Sequence, residues 1–111
     1  MSKLVVLGSV NADHVLKVPS FPRPGETLHG SGYQVIPGGK GANQVVAAVR
    51  LGADTAFIAS VGDDAFGREM QESFVQQGID SSAVMTEQET PTGIAMIQVA
   101  DTGENSICIS A

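Results

Sequence analysis

The densest chemistry in this chain lies in Pro37-Gly38-Gly39-Lys40-Gly41-Ala42-Asn43-Gln44, where an irregular segment runs into a helical pattern. The start of a helix exposes unpaired backbone N–H groups and carries the positive end of the helix dipole. Gly38, Gly39 and Gly41 let a ligand approach that backbone with no Cβ in the way. Lys40 adds a mobile cation with three donors, and Asn43 adds a donor and an acceptor one turn in. Such a corner suits a polyhydroxylated or anionic small molecule. The plainer alternative is a glycine-rich turn entering an ordinary helix.

Two better-known phosphate motifs are excluded. No Gly-Lys is followed by Ser or Thr at the spacing of a P-loop, and Val6-Leu7-Gly8-Ser9-Val10 lacks the second and third glycines of a dinucleotide fingerprint.

The elements that must hold this corner follow from periodicity. Residues 3–8 form a short apolar, β-branched run, expected as a strand of a parallel sheet buried on both faces. Residues 14–18 read as a more exposed strand, 19–25 as a breaker-rich loop, and 28–36 as a weaker strand able to carry a bulge. Ala42, Val45, Val46 and Val49 recur at helical spacing, predicting a helix over 41–51 with Gly52 as its stop. A strand over 55–60 follows, then a second helix lined by Phe66, Met70 and Phe74, capped within Gly62-Asp63-Asp64 and ended by Gly78. Strand–helix–strand–helix order implies right-handed crossovers and a parallel sheet. Residues 84–86, 93–99 and 105–110 are strands with no helix between them, and Asp101-Thr102-Gly103-Glu104 is a hairpin turn. The expected organisation is an α/β core of residues 1–12 and 36–82, with β strands of a small antiparallel lid in 13–35 and 83–111.

Composition bounds the function. A chain of 111 residues makes one small domain, and its net charge of −6 leaves no basic stripe for nucleic acid or an anionic membrane. One cysteine, Cys108, forms no internal disulfide and fits a reducing compartment, and the N-terminal apolar run is too short for a leader or a membrane span. A cytoplasmic protein is expected. Charged residues make up only 16% of the chain, against about a quarter in ordinary soluble domains. Two parallel strands and two helices cannot cover both faces of a sheet, and the chain stops in or just after an apolar strand. The expectation is the front of a longer protein, an incomplete fold with poor stability of its own and a tendency to self-associate.

Several motifs in order resemble the ribokinase family of sugar kinases. They are Ser9-Val10-Asn11-Ala12-Asp13-His14, Phe21-Pro22-Arg23-Pro24-Gly25-Glu26-Thr27, Gly38-Gly39-Lys40-Gly41-Ala42-Asn43-Gln44, Val61-Gly62-Asp63-Asp64-Ala65-Phe66-Gly67 and Thr92-Gly93-Ile94-Ala95. The resemblance covers essentially the whole chain, but only about the first third of such an enzyme. It implies a ribokinase-like α/β fold, in which a sugar lies at the C-terminal ends of the parallel strands under a β lid. Lids of two subunits would pair into a homodimer. It also implies D-ribose as substrate, ATP as phosphoryl donor, and Mg2+ and K+ as ions of the complete enzyme. Residue by residue it implies sugar binding by Asn11, Ala12, Asp13, Gly39, Lys40, Gly41, Ala42 and Asn43, with Ala95 and Ile107 closing over the ring. Taken singly, Asp13 is more often a turn or strand-end residue than a functional one, and Lys40 more often a solvated surface lysine. Their company in ordered motifs is what assigns them to a site. His14 and His29 are read as structural, and Met70, Met85 and Met96 as packing.

The resemblance also implies what is missing. The family's base, an Asp closing Gly-Ala-Gly-Asp, has no counterpart here, nor does its Asn-x-x-Glu motif. No catalytic, nucleotide-binding or metal-binding residue is therefore assigned, and the chain alone is expected to be inactive as a kinase. Two alternatives remain: a related carbohydrate or nucleoside kinase, and a non-catalytic sugar-binding or dimerisation module.

Overall fold

The computed structural model describes residues 3–110; residues 1, 2 and 111, assigned from sequence to the core and the lid, lie outside it. The elements are β1 (Leu4–Leu7), β2 (Asn11–Val18), β3 (Ser31–Gly38), α1 (Lys40–Arg50), β4 (Thr55–Gly62), α2 (Ala65–Gln76), β5 (Asp80–Glu87), β6 (Gly93–Ala100) and β7 (Asn105–Ser110). They build two sheets, a three-stranded one in the order β1-β4-β5 and a four-stranded one in the order β3-β2-β6-β7.

The first sheet is parallel throughout, and α1 and α2 are its two crossovers. Alternation along β4 sends Thr55, Phe57, Ala59 and Val61 inward. Phe57 meets Phe74 of α2 edge-to-face at 5.5 Å and 86°, and Val45 of α1 is fully buried beside them. Asp64 caps α2 by accepting from the Gly67 N–H at 2.8 Å. At the other end of the helix, Gly78 takes a positive φ of 80°. Both helix boundaries thus obey local chemistry.

The opposite face of this sheet is bare. Val5, Leu7, Ile58 and Met85 are all exposed, Leu7 at 79%. This corrects the expectation that residues 3–8 are a strand buried on both faces: among the described residues β1 is an edge strand paired only with β4.

The second sheet projects from the first. The radius of gyration is 16.2 Å, against about 13 Å for a compact domain of this length. Its outer pairings, β2–β3 and β6–β7, are antiparallel hairpins, while the central pairing β2–β6 is parallel. The cause is topological. β2 and β6 each leave the first sheet after a parallel strand, β1 and β5, so they run outward together, and β3 and β7 return.

Two expected boundaries are corrected. β5 pairs in parallel with β4 and belongs to the core, so the second lid segment begins with β6 at Gly93 and not at residue 83. No helix follows this third parallel strand, so in sequence it resembles the lid strands that come after it. β3 begins at Ser31, not Leu28, because the ladder shifts register between Val15 and Lys17. There, Gly30 lies against the Leu16 side chain.

Candidate functional site

The junction of the two sheets is assembled from close glycine contacts. Gly39, the N-cap of α1, has φ 100°, and a Cβ there would strike the Ser9 carbonyl oxygen. Gly41 in the first turn lies against Gly8 at the end of β1, so closely that a Cβ on either would come within 2.6 Å of the other's Cα. The Ala42 N–H donates to the Ser9 carbonyl at 3.2 Å, tying α1 to the β1–β2 connection. α1 has no side-chain cap, so its first turn faces the cleft with the positive end of the dipole unneutralised.

Across from that helix start stands one face of the lid. Asn11 and Asp13 are two apart on β2 and therefore project on the same side. Asp13 is in register with Ala95 of β6, which in turn opposes Ile109 of β7; Ile97 opposes Ile107. Ser9, Asn11, Asp13, Gly39, Lys40 and Asn43 with these four apolar residues line one open cleft of about 440 Å³. That is room for a small polar molecule between a polar floor and an apolar roof.

Asp13 is the electrostatic focus. Its carboxylate lies directly over Gly38, where any Cβ would collide with it. Burial raises its pKa above the ordinary carboxylate value, and the His14 charge opposes this weakly. Among the described residues no donor satisfies this carboxylate, which leaves it free for hydroxyl groups of a ligand. His14 turns to the other face of β2, where its Nδ1 shares a hydrogen bond of 2.8 Å with the Tyr33 hydroxyl.

The cleft thus gathers Asn11, Asp13, Gly39, Lys40, Asn43, Ala95 and Ile107. Three residues carried over by resemblance do not line it. Ala12 is buried, and strand alternation turns its methyl away. Gly41 is spent on the Gly8 contact. Ala42 packs in the core against the first sheet. Conversely, Ser9, Ile97 and Ile109 line the cleft and were missed. The signal was present for the two isoleucines, each two residues beyond a roof residue already chosen.

No helix among the described residues is long and apolar enough to cross a membrane. Nor do the described residues bring together three or more His, Cys, Asp or Glu side chains able to hold a metal ion.

Known proteins resemble this chain in sequence and fold. The chain is 55% identical over 108 residues to a ribokinase of Haemophilus influenzae and 46% identical over 116 residues to one of Schizosaccharomyces pombe, covering 97% and 99% of this chain but 35% and 36% of those proteins. It superposes on the ribokinase structure from Giardia lamblia with a TM-score of 0.90 at 38% identity, covering 99% of this chain and 34% of that one. On the Arabidopsis thaliana ribokinase solved with ribose and ATP the TM-score is 0.85 at 35% identity, covering 97% and 35%. The chain therefore spans about a third of the length of the curated relatives it matches. The pattern of the pfkB family carbohydrate kinases matches residues 1–111 in full, and with the two-sheet fold and the cleft between the sheets this places the chain in that family.

Proposed function

We propose that this chain is the sugar-binding portion of an ATP-dependent kinase that phosphorylates D-ribose to D-ribose 5-phosphate. One observation carries the reading: the free Asp13 carboxylate and Asn11 face Lys40 and Asn43 across a cleft roofed by Ala95 and Ile107. Asp13 would accept hydrogen bonds from two adjacent hydroxyls, a task suited to a carboxylate with several lone pairs. Asn11, Asn43 and Lys40 would donate to or accept from the remaining oxygens. The apolar roof would exclude water, which matters where a nucleotide could otherwise be hydrolysed.

The chain's own residues account for binding and orientation only. It contains no Gly-Ala-Gly-Asp sequence, the motif from which the resemblance would take a base. The described residues gather no group of three or more His, Cys, Asp or Glu side chains, so none of them is assigned to Mg2+ or K+. ATP and both ions belong to the reading of the complete kinase. Phosphoryl transfer depends on positioning and charge neutralisation together, so the 111-residue chain by itself should release no ADP in the presence of ribose.

The same reading includes a cytoplasmic compartment and a homodimer formed through the outer face of the lid. That face offers Tyr33 and Met96, both exposed, around a hollow of about 260 Å³. Calorimetric titration of the chain with D-ribose, D-fructose and adenosine tests the substrate reading. Saturable binding of ribose in preference to the other two is expected; no ribose binding, or stronger binding of adenosine, overturns it.

A further inference from the structure

Three crossings join the lid to the core, and they are not built alike. The first, residues 8–10, and the second, Gly38–Gly39, rely on glycine contacts and backbone hydrogen bonds. The third, residues 88–92, ends at Thr92, which is buried to 4% exposure immediately before β6. The Thr92 N–H donates to Asp64 Oδ2 at 2.8 Å, and its hydroxyl donates to Asp64 Oδ1 at 2.7 Å. The same hydroxyl accepts from the Gly62 N–H at 2.9 Å. Gly62 has no side chain for good reason, because a Cβ would collide with the Thr90 carbonyl oxygen and the Thr92 nitrogen.

One carboxylate therefore grips two bodies. Asp64 holds the first turn of α2 through Gly67 and the root of lid strand β6 through Thr92. Capping alone does not require this, since Ser or Asn satisfies a helix start as well. Only a carboxylate offers enough lone pairs to accept from Gly67 and from both donors of one threonine. The third crossing is thus the one held by side-chain hydrogen bonds as well as by backbone.

We propose that the Asp64–Thr92 clamp is the fixed pivot of the lid and that the two residues position β6 over the sugar cleft. Ala95 lies three residues beyond Thr92, about 10 Å along a strand. A rotation of about 10° at the pivot therefore moves the roof by almost 2 Å, and errors near 1 Å are enough to damage a binding geometry. Thr92 and Asp64 touch no ligand in this scheme. The pivot stands on the hydrogen bonds alone, while its effect on sugar rests on the cleft being a ribose site.

The test is hydrogen exchange and ribose calorimetry on the full chain carrying Thr92→Val, Thr92→Ser or Asp64→Asn, well below each variant's melting temperature. Thr92→Val should speed exchange in β6 and its neighbour β2 about tenfold or more, leaving β4 and α1 unchanged, while Thr92→Ser stays within about twofold of the parent. Such a tenfold change corresponds to losing about 1.4 kcal/mol of restraint. Asp64→Asn keeps an acceptor for Gly67 but cannot accept from both Thr92 donors, so it should loosen β6 while α2 stays protected. Unchanged exchange in β6, or an increase shared equally by β4, α1 and β6, overturns the pivot. Ribose affinity should fall about tenfold in Thr92→Val and recover in Thr92→Ser; an unaltered affinity with a loosened lid overturns the positioning role. Should the parent chain bind no ribose, the sugar reading fails, and the exchange data still decide the pivot.

Discussion

Replacing Asp13 by Asn separates a binding carboxylate from a structural one. The change is nearly isosteric and stays within reach of the same cleft, but it removes the charge and one acceptor oxygen. A hydrogen bond to a charged group is worth about 1.5–3 kcal/mol, so ribose affinity should fall between about tenfold and 150-fold. Stability should move the other way. Burial raises the Asp13 pKa, which means the folded state disfavours the ionised form; the neutral amide relieves that cost, and the melting temperature should hold or rise. Above the raised pKa the carboxylate is ionised and ribose binds fully; as pH falls through that pKa, affinity is lost. Asp13→Asn should abolish this dependence. Calorimetry with D-ribose from neutral to acidic pH, alongside thermal melts followed by circular dichroism, reads both quantities. A ribose affinity within twofold of the parent, or a clear drop in melting temperature, refutes the reasoning and makes Asp13 a strand-end residue.

Gly39→Ala should destabilise the chain by about 1–3 kcal/mol, because Gly39 holds φ 100° against the Ser9 carbonyl; an unchanged melting temperature would contradict that contact. Asp80 is held down to about 2 by the hydrogen bond from Lys3, 2.8 Å away, with help from Ser82. Its contribution is present above the unfolded carboxylate pKa and is lost as pH falls towards about 2. Lys3→Met should therefore move the Asp80 titration midpoint upward by NMR while barely altering stability at neutral pH, since the pair is exposed. Leu7→Lys on the bare sheet face should reduce association of the chain in sedimentation velocity, because Leu7 is 79% exposed beside Val5 and Ile58; unchanged sedimentation would show that this face does not drive it.

Local chemistry was legible in the sequence wherever it was decided locally. The apolar spacing of α1 and α2, the Asp64 cap, the Gly78 stop and the hairpin at 101–104 appear where residue types demanded them. The glycines of residues 38–41 read in the sequence as openings for a ligand, whereas the fold packs Gly41 against Gly8 and sets Gly38 beneath the Asp13 carboxylate. Tertiary structure decided what depends on partners far away in the chain. Whether β5 belongs to the lid or the core rests on its pairing with β4, and its own residues suit either. The parallel β2–β6 pairing follows from both strands leaving the same sheet. Strand alternation, once register was fixed, turned Ala12 out of the cleft and brought Ile97 and Ile109 into it. The double grip of Asp64 on Thr92, 28 residues away, was invisible for the same reason. Sequence fixes which groups a residue can offer; only the fold determines which distant groups it meets, because register and crossing geometry are set by the packing of the whole sheet.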